Sequence, residues 1–258
     1  MKKYLFLLAC ITFSISVFAQ DEENKSAHIE TDESKSFVLL GGMNSDLVFL
    51  WKKDYKKARE RAEKEHWSGC RFEFINLEGL QGANLKQSQS YAISVMPIDV
   101  YHAISKHWLF VSGAEVEWAR YHFGENRGLE GKSDYTHFAP APEGFSYKSS
   151  KLLVYNINIP LVLEYQKKLA SRHTFYISGG VEGLIKCYSK SQVDVRTPQG
   201  IQKTSLGRDL NLRPINMRFV LKVGIDDYGI FGYYQPFSMF ENGKGPEVRS
   251  FGIGICTN

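Results

Sequence analysis

A two-residue period runs through most of this chain, and it restricts the fold more than any other feature. Between Leu153 and Tyr165 the odd positions Leu153, Tyr155, Ile157, Ile159, Leu161, Leu163 and Tyr165 are all apolar, with Asn156, Asn158 and Glu164 between them. Ile215 to Ile225 repeats the pattern, setting Ile215, Met217, Phe219, Leu221, Val223 and Ile225 against Asn216, Arg218 and Lys222. Phe175 to Tyr188 sets Phe175, Ile177, Val181 and Ile185 against Ser178, Glu182 and Lys186. His107 to Phe123 sets Trp108, Phe110, Val116 and Trp118 against Glu115 and Glu117, and Phe251, Ile253 and Ile255 alternate with glycine. Side chains that alternate in this way belong to strands with one apolar and one polar face. The segments Trp67–Glu78, Ser90–Tyr101 and Gly229–Phe237 alternate less cleanly and bring the expected strand count to eight. The composition agrees: 17 Phe, 14 Tyr, 4 Trp and 22 Gly in 258 residues favour strands over helices.

A soluble sandwich also alternates, so the polar face has to decide. It carries full charges in mid-strand: Arg71, Glu73, Glu115, Glu117, Glu164, Glu182, Lys186, Arg218 and Lys222. Five acids against four bases form a nearly neutral set that can pair inside a lumen. The apolar face runs on for five to seven alternate positions, more than one side of a soluble sandwich usually offers. Apolar-out, polar-in strands of this length mark a transmembrane β-barrel, the closed sheet that satisfies its own backbone in lipid. The links supply a second argument. Gly79–Gln89, Gly124–Phe145, Ser189–Asn211 and Ser238–Glu247 are long, while His102–Lys106, Gln166–Arg172 and Asp226–Tyr228 are short, and the two kinds alternate. Long loops outside and short turns in the periplasm are the habit of outer-membrane barrels. The expected fold is therefore all-β, an eight-stranded antiparallel up-and-down barrel. The two longest links are expected to be mobile loops. Tyr233, Tyr234, Trp108 and Trp118 are expected in aromatic girdles.

Three segments organise the chain. Residues 1–19 read as a secretory signal: Lys2 and Lys3, an apolar stretch from Tyr4 to Phe18, and a Val17-Phe18-Ala19 cleavage site. The rival reading, Leu7-Leu8-Ala9-Cys10 as a lipoprotein box, leaves too short an apolar region and strands Ile11 to Phe18 in the mature protein. Residues 20–66 read as a periplasmic extension. It has an acidic lead and a small hairpin around Gly41-Gly42. A charged helix follows at Trp51–His66, with Trp51, Tyr55, Ala58 and Ala62 in one narrow stripe. Residues 67–258 are the barrel. Cys70, Cys187 and Cys256 are too few and too scattered for a disulfide framework, and any pairing among them is left open. The net charge of +4 gives no nucleic-acid footprint.

His66-Trp67-Ser68-Gly69, Tyr147-Lys148-x-x-Lys151-Leu152 with Ile159-Pro160-Leu161-x-Leu163-Glu164, Gly179-Gly180-Val181-Glu182-Gly183, and Phe240-Glu241-Asn242-Gly243-Lys244-Gly245-Pro246-Glu247 resemble the PorT-like outer-membrane β-barrel family over about Trp67 to Cys256. The resemblance implies an eight-stranded barrel in the cell outer membrane. Such barrels usually end on an aromatic residue, whereas this chain ends Gly254-Ile255-Cys256-Thr257-Asn258, a departure that bears on assembly.

Catalytic motifs are missing from the sequence. There is no phosphate-binding G-x-x-x-x-G-K-[ST], no G-x-S-x-G and no zinc-type Cys or His spacing. No catalytic residue, metal or cofactor is expected, and the protein is not expected to be an enzyme. Glu115 with Glu117 reads as part of a salt-bridge network, and His102 with His107 as turn residues. An eight-stranded barrel is filled by its own side chains, so no solute-conducting pore is expected. The expected role is structural or interactive. The expected partners are outer-membrane lipid and a periplasmic or inner-membrane protein reached through Trp51–His66. Two alternatives stay open: a barrel enzyme acting on envelope lipid, for which His122 is the residue to consider, and an accessory subunit of a secretion or signalling complex.

Overall fold

The computed structural model describes residues 65–257 apart from 82, 125, 132–133, 171–172 and 198–199, together with the backbone of residues 38–39 and 43–44. Two units are distinguished, 1–57 and 58–258. In the first, β1 (Val38–Leu39) pairs antiparallel with β2 (Met43–Asn44). The apolar runs Phe37–Leu40 and Leu47–Leu50 suggest a hairpin turning on Gly41-Gly42-Met43-Asn44, but Met43 and Asn44 themselves form the second arm, so the hairpin is tighter. The signal sequence and residues 51–64 of the expected helix lie outside the described residues.

In the second unit, eight strands close a ring. They are β3 (Gly69–Glu78), β4 (Tyr91–Ala103), β5 (Trp108–Phe123), β8 (Ser146–Ala170), β9 (His173–Thr197), β11 (Ile215–Ile225), β12 (Tyr228–Tyr234) and β13 (Arg249–Thr257). Each pairs antiparallel with its neighbours, and β13 returns to β3 through nine residue pairs from Arg249↔Glu78 to Thr257↔Cys70. Closure removes the open edges that would otherwise leave backbone groups unpaired in lipid.

The period-two face points outward. Ile159, Leu161, Leu163, Ile177, Ile185, Phe219, Leu221, Ile253 and Ile255 are exposed, whereas Asn158, Glu164, Ser178, Glu182 and Lys222 are fully buried. Tyr234 also faces out, but Tyr233 does not: it is buried in the lumen, because neighbours on a strand point to opposite faces. It cannot serve in a girdle. One irregularity involves three neighbouring strands. The β4–β5 ladder shifts register between Val95 and Ile98, where Pro97 lacks an N–H to donate. On β5, Gly113 (φ 157°) lies against this kink, and a Cβ there would sit 2.1 Å from the Ile98 carbonyl oxygen. On the other side of β5 the ladder to β8 is interrupted opposite Pro160.

The two longest links are not loops. Inside 124–145, β6 (Arg127–Gly131) and β7 (Thr136–Pro140) form a hairpin. Strand β9 runs on to Thr197 and pairs with β10 (Gly200–Arg208), which takes up most of the other long link. Strands β8 and β9 thus project beyond the ring on the side of the long links, with β10 along β9. Their solvent-exposed positions carry no hydrophobic period, and this is why the sequence pattern passes over them.

Candidate functional site

The nine charged residues expected in the lumen occupy three levels. In the middle, Arg71 Nη2 is 2.5 Å from Glu115 and 3.3 Å from Glu182, and its Nε is 3.2 Å from Glu73. Arg218 Nη1 is 2.6 Å from Glu117, and its Nε also pairs with Glu182. Two amides complete this level: Asn158 donates to Glu115 and Glu117 at 2.9 and 3.2 Å, and Asn156 donates to Glu117 at 2.9 Å. Aromatic faces hold the guanidinium groups in place, with Arg71 4.0 Å over Phe231 and Arg218 4.5 Å over Tyr233. Planar, multiply donating arginines suit such a site, since one fork satisfies two carboxylates.

Toward the short turns, Glu164 accepts from Gln166 at 2.8 Å, from Ser178 at 2.7 Å and from the His66 amide at 3.1 Å. The Lys222 ammonium donates to the His66 carbonyl. Glu65 accepts from the backbone N–H groups of Trp67 and Ser68, and Trp67 is buried edge-on to Phe231. Glu65 and His66, which the sequence assigns to the extension, are therefore part of the barrel interior. The third level holds Lys186 alone, which donates to Asp209 at 2.7 Å and to the Leu212 carbonyl at 2.8 Å near the long links.

Apolar side chains fill what the charges leave. Ile75, Met96, Leu109, Val111, Leu152, Val162 and Phe231 share the interior with Trp67. A cavity of about 40 Å³ remains between Arg218, Tyr233, Asn156 and Lys186, enough for one or a few waters. A wider recess of about 430 Å³ opens between the long links, lined among others by Glu78, Arg213, Phe237, Asn242 and Arg249.

Outside, on the side of the long links, an aromatic row crosses four strands. Tyr91, Trp118, Tyr155 and Tyr188 follow one another at ring separations of 6.3, 6.3 and 5.8 Å. Four residues beyond Trp118 and above the apolar band, His122 Nε2 lies 2.8 Å from Ser149 Oγ. Burial first, and then the positive charges of Arg120, Lys151 and Lys86, push this imidazole down to about 4. Its Nδ1 has no hydrogen-bond partner among the described residues, so no third group orients the ring. Elsewhere His107 Nδ1 bonds the Gln166 carbonyl at 2.9 Å. Among the described residues no group of three or more metal-ligating side chains occurs. Among the described residues, Cys70 and Cys256 are free thiols.

Sequence parity identifies Asn156 and Asn158 as lumen residues. It gives no sign of the His66 contacts, which link segments about a hundred residues apart in sequence.

A closed eight-stranded antiparallel barrel with an apolar exterior and an ion-paired interior is of the outer-membrane type. No protein-family model and no curated protein matches the chain. The crystal structure of Ail, the attachment invasion locus protein of Yersinia pestis, is similar to it at 9% identity and a TM-score of 0.31, covering 73% of this chain and 93% of that one.

Proposed function

We propose that this protein is exported by residues 1–19 and inserted in the outer membrane, as a PorT-like barrel with a structural or interaction role in the cell envelope. The observation that carries the reading is the contrast between the two faces. The exterior is an apolar band, whereas the interior is closed by the Arg71–Arg218 network and by Trp67 beneath it. A barrel filled in this way offers lipid a surface and solute no channel. No cofactor and no catalytic residue are part of the proposal. Its partners are outer-membrane lipid and a periplasmic or inner-membrane protein that docks on 51–66. The segment 240–247, on which the family resemblance rests, is held in place: Phe240 is buried and Arg213 donates to the Phe240 carbonyl and to Asn242. Cross-linking in intact membranes, with and without residues 51–64, tests the partner. Recovery of the same envelope protein from both forms would remove the helix from the proposal.

The enzyme alternative has one specific observation in its favour, the Ser149–His122 hydrogen bond. A serine-reactive fluorophosphonate that labels the folded wild type, but not Ser149→Ala, would establish it. An unlabelled wild type leaves the structural reading in place.

A further inference from the structure

The aromatic row is followed on its outward side by positive charge. Arg120 lies two residues beyond Trp118, Lys190 two beyond Tyr188, and Lys151 four beyond Tyr155, all on the outer face of the wall. Each two-residue step is about 7 Å along a strand. Lys203 joins this face from β10, directly opposite Asp194, which is itself opposite Ser149. The 79–90 link brings Lys86 to the same place by donating its backbone N–H to the His122 carbonyl at 2.8 Å. Arg120 is held with its guanidinium 5.9 Å from the Tyr91 ring, and its Nε is buried with no hydrogen-bond partner among the described residues. None of the five bases forms an ion pair among the described residues, and Asp194 is the acid among them. The bases act on one another: burial lowers the Lys151 amine, Asp194 opposes this, and Arg120, Lys203 and Lys190 add to it.

Five bases around one acid, directly above a row of rings at the edge of an apolar band, need a counter-charge held at that height. In a bilayer that height is occupied by headgroups. We propose that Arg120, Lys151 and Lys190, flanked by Lys86 and Lys203, bind the phosphate groups of a phosphorylated lipid in the outer leaflet. The site rests on the outer-membrane reading above. Free phosphate shares the chemistry, but a lipid also lays its acyl chains on the adjoining apolar face at Trp118, Tyr155 and Leu161. The lipid is therefore the occupant. Binding spans β5, β8 and β9, so it would brace the base of the projecting strands.

The test uses the full chain folded in phosphatidylcholine vesicles that contain diphosphoryl lipid A or its dephosphorylated form, extracted gently and weighed by native mass spectrometry. The wild type should retain the phosphorylated lipid about tenfold or more over the dephosphorylated one. Arg120→Gln/Lys151→Gln/Lys190→Gln should lose that preference, and Lys167→Gln/Lys168→Gln, at the opposite end of β8, should keep it. Equal retention by the triple variant would overturn the site. So would displacement of the lipid by an equal concentration of inorganic phosphate, which would make it a free-anion site. Heat-dependent gel mobility of the same samples separates the two levels. A wild type that never folds into vesicles refutes the membrane reading, whereas one that folds without lipid preference refutes only this inference.

Discussion

His66 lies flat on Tyr176, ring centroids 4.3 Å apart and planes 10° from parallel, while its Nδ1 sits 2.9 Å from the Glu164 carboxylate. Glu164 is on β8 and Tyr176 on β9, so this contact fastens the residue that precedes the first barrel strand to the far side of the ring. Together with Trp67 it closes the lumen on the side of the short turns. A residue that sequence places before the barrel is thus part of its interior.

Removing that closure should loosen the whole barrel. Trp67 is 1% exposed and packs on Phe231, with Arg71 over its ring at 5.5 Å. Trp67→Ala should cost about 3–5 kcal/mol, the usual range for emptying a buried aromatic site. Urea unfolding followed by the difference in gel mobility between boiled and unboiled protein measures it. A midpoint equal to wild type would mean that Trp67 does not support the fold.

The middle of the lumen is as sensitive. Arg218 stands between Glu117 and Glu182, and both carboxylates are buried. Arg218→Met keeps the bulk and leaves those charges without their main counter-ion. A loss of about 3–5 kcal/mol follows. Arg218→Lys should recover only part of it, because one ammonium cannot replace the fork that reaches two carboxylates. Equal stability of the Met and Arg forms would show the network to be dispensable.

Faces were legible in the sequence because parity alone assigns them, and Leu161 and Asn158 point where the alternation says. Parity also exposes the error at Tyr233-Tyr234: two neighbours cannot both belong to an exterior girdle, and Tyr233 instead bonds Ser250 inside at 2.8 Å. The projecting strands were illegible for a physical reason. Of the described residues in 189–208 only Ser189, Ser191 and Val193 are buried, so strand pairing does most of the holding and leaves little hydrophobic period. The contacts of His66 and the gathering of Arg120, Lys151 and Lys190 depend on register between distant segments, which no single stretch of sequence encodes.

Lipid exposure is tested at Leu161, which is 47% exposed on the outer face near the middle of β8. Leu161→Arg should cost about 2–4 kcal/mol in a bilayer, as for a cation near mid-membrane, while Leu161→Phe should be nearly neutral. The comparison is made by folding titrations in vesicles. If both variants fold as wild type does, the outward face of β8 does not meet lipid.

The even number of strands returns Thr257 to the side on which Gly69 begins. With the proposed insertion, short turns periplasmic, the long links lie outside, and more than half of the combined length of the two longest is in β6, β7, β9 and β10 rather than in loose loops. Protease added to intact cells should therefore cut little of 124–145 and 189–211. The exposed turn at Pro142, Glu143, Gly144 and Phe145 should yield first, to a glutamyl or aromatic-specific enzyme. An epitope placed after Ala19 should remain shielded. Loss of the epitope before any cut at this turn would invert the topology.

Acid should act on the outer rim through His122. Its folded value of about 4 lies below the ordinary 6.5, because burial and the nearby Arg120, Lys151 and Lys86 disfavour the imidazolium. In that interval the unfolded chain binds a proton that the folded chain does not, so stability rises with pH. Stability contributed by neutral His122 is thus intact above the unfolded value, falls as pH drops from 6.5 toward 4, and changes no further below that. Asp226 titrates elsewhere: its hydrogen bond from His173 draws it below the ordinary 3.8, so its contribution is lost only in stronger acid. The urea midpoint of wild type should therefore fall relative to that of His122→Gln as pH drops from about 6.5 to 4. Ser149→Ala should leave the slope in place, since burial and the surrounding bases, not the Ser149 hydroxyl, set the shift. If wild type and His122→Gln decline in parallel across this window, the proton is bound elsewhere and the rim does not respond through His122.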